Sequence, residues 1–106
     1  MRIERFEEFV RVGNFTEGER DAKFLAAMGL AGEAGEVCDM LKKHMLHGKP
    51  LDREELKKEL GDVLWYLVHA CNTFGIPLGE VMEGNVEKLV DRYPAQYGST
   101  EVWFGQ

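Results

Sequence analysis

Basic residues are scarce in this chain: 13 Lys and Arg stand against 19 Asp and Glu, for a formal net charge of -6. A nucleic-acid polymer is thereby excluded as a partner, because a phosphate backbone is held by clustered cations that release its counterions. Small phosphate ligands stay open, since a few bases beside a metal ion suffice for them. No apolar run approaches the roughly 20 residues that span a bilayer, and no leader-like start is present. A soluble, cytoplasmic protein without membrane contact is expected. Cysteine is limited to Cys38 and Cys71, too few for a disulfide framework and not in CxxC spacing. Both fall on apolar helix faces and are expected to be small buried hydrophobes. Period-two alternation is missing, and no Gly-rich phosphate loop follows a strand. The class that remains is all-α. At 106 residues the chain is expected to form one domain, 1–106, whose core would gain from burial shared with a second copy.

What is present is one pattern written twice. Residues 30–41 read LAGEAGEVCDML and residues 56–67 read LKKELGDVLWYL, so a shift of 26 places aligns Leu30 with Leu56, Glu33 with Glu59, Gly35 with Gly61 and Glu36 with Asp62. Val37 with Val63 and Leu41 with Leu67 complete the match. Each copy carries two acids three residues apart, the spacing at which side chains become neighbours on a helix.

The surrounding chain reads as helices. Residues 2–12 put Ile3, Phe6, Phe9 and Val10 at helical spacing, ended by Gly13 and Asn14. The stretch GNFTEGER reads as a loop leading to an N-cap at Asp21, with Phe15 either anchoring the loop or stacking on a ligand. A long helix is predicted from about Ala22 to Leu46, with Gly48 in its C-cap region and Pro50 just beyond. Gly29, Gly32 and Gly35 inside it weaken it by about 1 kcal/mol each relative to Ala. Tight packing, or a ligand or second chain close to the backbone, would compensate, and a local break is an open possibility. Asp52 with Glu55 forms a capping-box-like start to a helix that stops at Gly75, with an i,i+4 pair expected from Glu54 to Lys58. A further helix begins near Pro77 and ends before Pro94. The tail AQYGSTEVWFGQ is expected to dock Trp103 and Phe104 on the body or on a partner chain.

Advancing about 100° per residue places Ala34, Val37, Cys38, Leu41 and Met45 on one apolar arc, and Leu60, Val63, Leu64, Leu67 and Cys71 on the equivalent arc of the second helix. In both helices the acid pair flanks the arc on the same side. If the helices pack antiparallel, as a short connection favours, the two flanks converge on one acidic pocket. Carboxylates gathered there repel one another, so the cluster calls for protonation or a cation. An all-oxygen donor set suits Mg²⁺ or Mn²⁺. Di-iron helical bundles need a His three residues after a ligand Glu. The residues three before His44, His47 and His69 are Leu41, His44 and Tyr66, so that motif is absent. His44 and His47 read as exposed histidines at a helix C-terminus.

Opposite charge comes from the helix after Pro77, where Asn85, Lys88 and Arg92 share one edge beside an apolar strip of Met82, Val86, Leu89 and Tyr93. With a metal bridging carboxylates to phosphate oxygens, that edge becomes half of a phosphate clamp. Lys43, two turns after Glu36, is a weaker candidate. Tyr66, four after Asp62, would point toward the site, with Trp65 behind it at an interface. Tyr66, Phe15 or the tail could supply an aromatic wall for a base.

Glu33 and Glu36 in ExxE, Glu59 and Asp62 in ELGDVLWYL, and Asn85, Lys88 and Arg92 in NVEKLVDRYP together resemble the MazG-like all-α nucleoside triphosphate pyrophosphohydrolases over residues 22–94. The resemblance implies a helical bundle of two long antiparallel helices with shorter N- and C-terminal helices, completed by assembly into a homodimer or homotetramer. It implies Mg²⁺-dependent cleavage of an NTP or dNTP to the monophosphate and pyrophosphate. It also implies that Glu33, Glu36, Glu59 and Asp62 hold the metal, with Asn85 and Lys88, and then Arg92, on phosphate. Glu36, or else Glu33, would take the proton of the attacking water. Two alternatives stand beside this reading: a phosphoribosyl-ATP pyrophosphatase-like enzyme, and a non-catalytic helical dimerisation module that binds nucleotide or metal.

Overall fold

The computed structural model describes residues 1–105; Gln106, the last residue of the expected tail, lies outside the described residues. The described residues form six helices and no strand, so the chain is all-α. They fall into two compact units, Met1–Gly75 and Ile76–Gln106.

The first unit is built on α1 (Ile3–Gly13), α2 (Gly18–His47) and α3 (Arg53–Thr73). The long helix α2 starts about a turn earlier than Asp21 would set it. Its first residues follow Glu17 without a side-chain cap, and Glu19 and Asp21 lie in the first turn. Acids there complement the positive end of the helix dipole, and Glu19 also pairs with Lys23 at 2.9 Å. Nor does α2 break at its glycines; it runs unbroken for 30 residues. It ends at Gly48, whose φ of 65° gives the left-handed cap that a side chain would disfavour. His44 Nδ1 meets the Lys49 carbonyl at 2.8 Å and closes that turn, which fits a histidine at a helix end.

The N-cap of α3 is Asp52, whose Oδ1 accepts from the backbone N–H of Glu54 and of Glu55, both at 3.1 Å. The expected i,i+4 pair is replaced by two i,i+3 pairs, Glu54 with Lys57 at 3.3 Å and Glu55 with Lys58 at 3.2 Å. All four are on the exposed start of the helix, where such pairs are nearly equal in energy. Residues 48–52 connect α2 to α3, and the pairs Ala22 with His69 and Gly29 with Tyr66 show the two helices running antiparallel.

Their close approach has one visible cause. A Cβ placed on Gly29 would overlap the ring of Tyr66, whereas one on Gly32 or Gly35 would meet nothing within 4 Å. Tight packing thus accounts for Gly29 only. The core lies where α1 meets the outer parts of α2 and α3, with Val10, Ala22, Ala26, Val68 and Cys71 buried. His69, 1% exposed, is the buried polar group here, and its Nε2–H donates to the Ala22 carbonyl at 3.0 Å. Trp65 stacks on His69 at 5.4 Å and lies against Gly13, so its ring makes contacts within its own chain. Asn72 Nδ2–H ties α3 to α1 by donating to the Glu7 carbonyl at 3.1 Å.

Several apolar residues expected in the core are outside it. Cys38 is exposed, Met45 is 76% exposed, and Leu60 and Leu64 are 49% and 41% exposed. The reason is geometric: two helices cover one seam, and the rest of a broad apolar arc needs another layer. Cys71 does behave as a buried hydrophobe, and burial, with the charge of Glu7, raises its thiol pKa. Phe15, 78% exposed, does not anchor its loop; Asn14 does that work, its side chain accepting from the backbone N–H of Thr16 at 3.1 Å and its hydroxyl at 2.7 Å.

The second unit comprises α4 (Leu78–Arg92), α5 (Pro94–Tyr97) and α6 (Thr100–Phe104). Pro77 is the N-cap of α4 rather than a first-turn residue. The inner face of α4 is centred on Val86, Leu89 and Val90, while Met82 and Tyr93 remain 49% and 45% exposed. The tail folds back as α5 and α6, with Trp103 Nε1–H donating to the Tyr97 carbonyl at 3.0 Å.

Candidate metal centre

One turn along α2 from Gly29 stands Glu33, and one turn back along α3 from Tyr66 stands Asp62. The helix contact that Gly29 permits therefore lies next to the acids. The repeated pattern explains the rest: two helices of the same phase, packed antiparallel, turn their acid flanks toward one seam.

Glu33, Glu59 and Asp62 each offer one carboxylate oxygen, and the three oxygens lie within 4.8 Å of one another. Glu36 stands against both Glu33 and Glu59, close enough to share a proton with either carboxylate. All four acids of the two copies are thus in one cluster. Glu33 and Glu59 are half-buried, and Glu36 and Asp62 are exposed. Oε2 of Glu33 and Oε2 of Glu59 are shut off from solvent and receive no hydrogen bond.

The electrostatics follow from that geometry. The Glu33 pKa is raised from its ordinary 4.5, first by loss of hydration and then by the charges of Glu36 and Asp62. The Glu59 pKa is also raised, first by its hydrogen bond with Glu36, then by burial and by the Glu36 charge. Among the described residues no Lys or Arg forms an ion pair with these acids. The nearest candidate by sequence, Lys43, is engaged by Asp39 at 2.8 Å.

Such a site fits a hard divalent cation. The donors are all oxygen, Glu33 and Glu59 each keep a buried oxygen without a hydrogen-bond partner, and the three converging oxygens are close enough together to meet one ion. Tyr66 lies beside this cluster with its ring against Gly29 and edge-on to Trp65 at 5.1 Å. Phe15, the other aromatic considered for a base, is on the exposed loop before α2.

Asn85, Lys88 and Arg92 belong to the second unit, all three exposed on α4. Neither cation has an ion-pair partner among the described residues. Two aromatics of the tail, which the sequence offers as a wall for a base without placing them, lie near this edge: Tyr97 and Trp103, edge-on at 6.2 Å, close a cavity in which Asn85 participates. The signal for them was the aromatic content of the tail, which has no helical period to place it.

The chain belongs to the MazG nucleotide pyrophosphohydrolase domain family, whose match covers residues 24–97. It is similar to the Gene 37 protein of Mycobacterium phage L5, 38% identical over 69 residues that cover 61% of this chain and 60% of that protein. The chain therefore spans less than two thirds of the length of this curated relative. No solved structure matches the chain.

Proposed function

We propose, with family membership as the premise, that the chain is a Mg²⁺-dependent pyrophosphohydrolase converting an NTP or dNTP to the monophosphate and pyrophosphate. The observation that carries this reading is the set of converging carboxylate oxygens on Glu33, Glu59 and Asp62, two of whose carboxylates have a buried oxygen without a donor. Glu33, Glu36, Glu59 and Asp62 would hold Mg²⁺, or Mn²⁺ in its place. When bound, the cation would supply charge neutralisation at phosphate and a more acidic water.

The chain's own residues do the rest. Glu33 and Glu59, fixed on two packed helices, hold their inner oxygens still. Glu36, exposed and in contact with both, is placed to take the proton of the attacking water while its neighbours stay engaged. Lys88 and Arg92 would neutralise phosphate oxygens, since pyrophosphate leaves with charge that must be met, and Asn85 stands at the head of that edge. Lys43, paired with Asp39, is left as an auxiliary cation.

The exposed apolar arcs of α2 and α3 support assembly with a second copy, as a homodimer or homotetramer, since an uncovered face of this breadth is a common mark of an interface. No described helix is long and apolar enough to cross a membrane, which agrees with a soluble protein of the cytoplasm. The test is incubation with the common NTPs and dNTPs plus Mg²⁺, with products separated by chromatography. Monophosphate and pyrophosphate in equal amounts support the reading; absence of turnover on every nucleotide rejects it in favour of a binding module.

A further inference from the structure

The second unit contains a cavity of about 180 Å³ lined by Asn85, Val86, Leu89, Val90, Tyr97 and Trp103. Its walls are α4 on one side and the tail aromatics on the other. Trp103 has already committed its indole N–H to the Tyr97 carbonyl, so what it offers the cavity is ring surface. The amide of Asn85 can both donate and accept. Asn85 is also the first residue of the α4 edge that continues through Lys88 and Arg92, about 4.5 Å and about 10.5 Å further along the helix axis.

We propose that this cavity seats a planar heteroaromatic ring, the base of a nucleotide, with Asn85 reading its polar edge and Lys88 and Arg92 meeting its phosphates outside. The inference rests on the pyrophosphohydrolase reading for the identity of the ligand. Three features of the cavity favour a base over an aliphatic side chain. Its volume is below the ~300 Å³ of a pocket for a whole drug-sized ligand, so it admits a ring and leaves sugar and phosphates outside. Aromatic side chains are the usual platforms for bases because every base has a π-face. Finally, the amide and the two unpaired cations would have no use for a purely apolar occupant. The tail thereby becomes the specificity element of the enzyme, with Trp103 and Tyr97 as its ring-binding residues.

The test uses the intact chain with Trp65→Phe, which leaves Trp103 as the only tryptophan. Its emission is followed while adenosine or cytidine is added to about 10 mM without metal, a range that captures a Kd as weak as millimolar. Saturable quenching by at least one nucleoside is expected, with no response to ribose 5-phosphate. Asn85→Leu, at an exposed position that does not threaten folding, should weaken that nucleoside by about tenfold. Emission unmoved by either nucleoside, quenching unchanged in Asn85→Leu, or emission that tracks protein concentration instead of nucleoside would overturn the proposal; the last would mean that a second copy fills the cavity. Pyrophosphate release assayed in parallel separates the two claims. Turnover without nucleoside quenching sinks the base site alone, and quenching without turnover sinks the enzyme reading while the ring site stands.

Discussion

The two copies of the repeated pattern, residues 30–41 on α2 and 56–67 on α3, differ less in their acids than in what surrounds them. In both, the first acid (Glu33, Glu59) is half-buried with one oxygen hidden from water, and the second (Glu36, Asp62) is exposed. In α2 the pattern lies mid-helix, directly after a glycine that receives a tyrosine ring. In α3 it follows a side-chain cap and a charged, solvated first turn. Burial is the main influence raising Glu33, and the shared proton with Glu36 is the main one raising Glu59. The same four-residue device thus divides its labour: an inner acid held still, an outer acid left free. The neighbouring helix decides how strongly each is strained.

The sharpest way to break the comparison is to neutralise one inner acid at a time. Glu59→Gln and Glu33→Gln should each lower pyrophosphate release by about a hundredfold or more while far-UV circular dichroism stays unchanged. Equal losses would make the copies equivalent, and wild-type turnover in either would remove that residue from the site. Glu36→Gln should lower kcat by about a hundredfold and leave Mg²⁺ binding closer to wild type, as expected for a proton acceptor. An equal loss of Mg²⁺ affinity would assign it to holding metal instead.

The next effect concerns packing. Gly29→Ala should destabilise the chain by about 1–3 kcal/mol, because the added methyl overlaps the Tyr66 ring. Gly32→Ala and Gly35→Ala should instead stabilise an isolated chain by about 1 kcal/mol each, from helix propensity alone. Urea unfolding measures all three, and destabilisation by the latter two would show that something covers that face. Millimolar Mg²⁺ should raise the Tm of the wild type, by mass action on the native state. The rise should shrink in both inner-acid variants.

The smallest effect is in pH. Folded Glu33 and Glu59 have pKa values above the ordinary 4.5. The folded state therefore holds extra protons in the range just above that value, and stability declines as pH rises through the raised folded values. Without metal, the Tm of the wild type should fall relative to that of Glu33→Gln between pH 4.5 and pH 7, and saturating Mg²⁺ should remove the difference. A difference that is flat with pH would mean that Glu33 is not raised.

Much of this was legible along the chain. Asp52 as the cap of α3, Gly48 as the cap of α2 and the bounds of α4 all follow from local rules, because a cap involves only residues within a turn of one another. The acid cluster was legible for a related reason: two helices of the same phase joined by a short connection have few ways to pack. Misplacement began where the neighbours were distant in sequence. Cys38 and Cys71 look alike on their own helices, yet only Cys71 lies under α1 and is buried. Trp65 shows no local sign of its neighbours either, yet its ring stacks on His69 and meets Gly13 of α1.

By itself the sequence determined the helices, their phase and the charge of the seam, since each follows from spacing along one chain and from dihedral preferences that act within a turn. Only the tertiary structure decided which of three glycines is filled by a ring, which carboxylate oxygens lose their water, and that the tail closes a cavity on α4. Those outcomes depend on excluded volume and solvent access between segments far apart in sequence, quantities that no local pattern encodes.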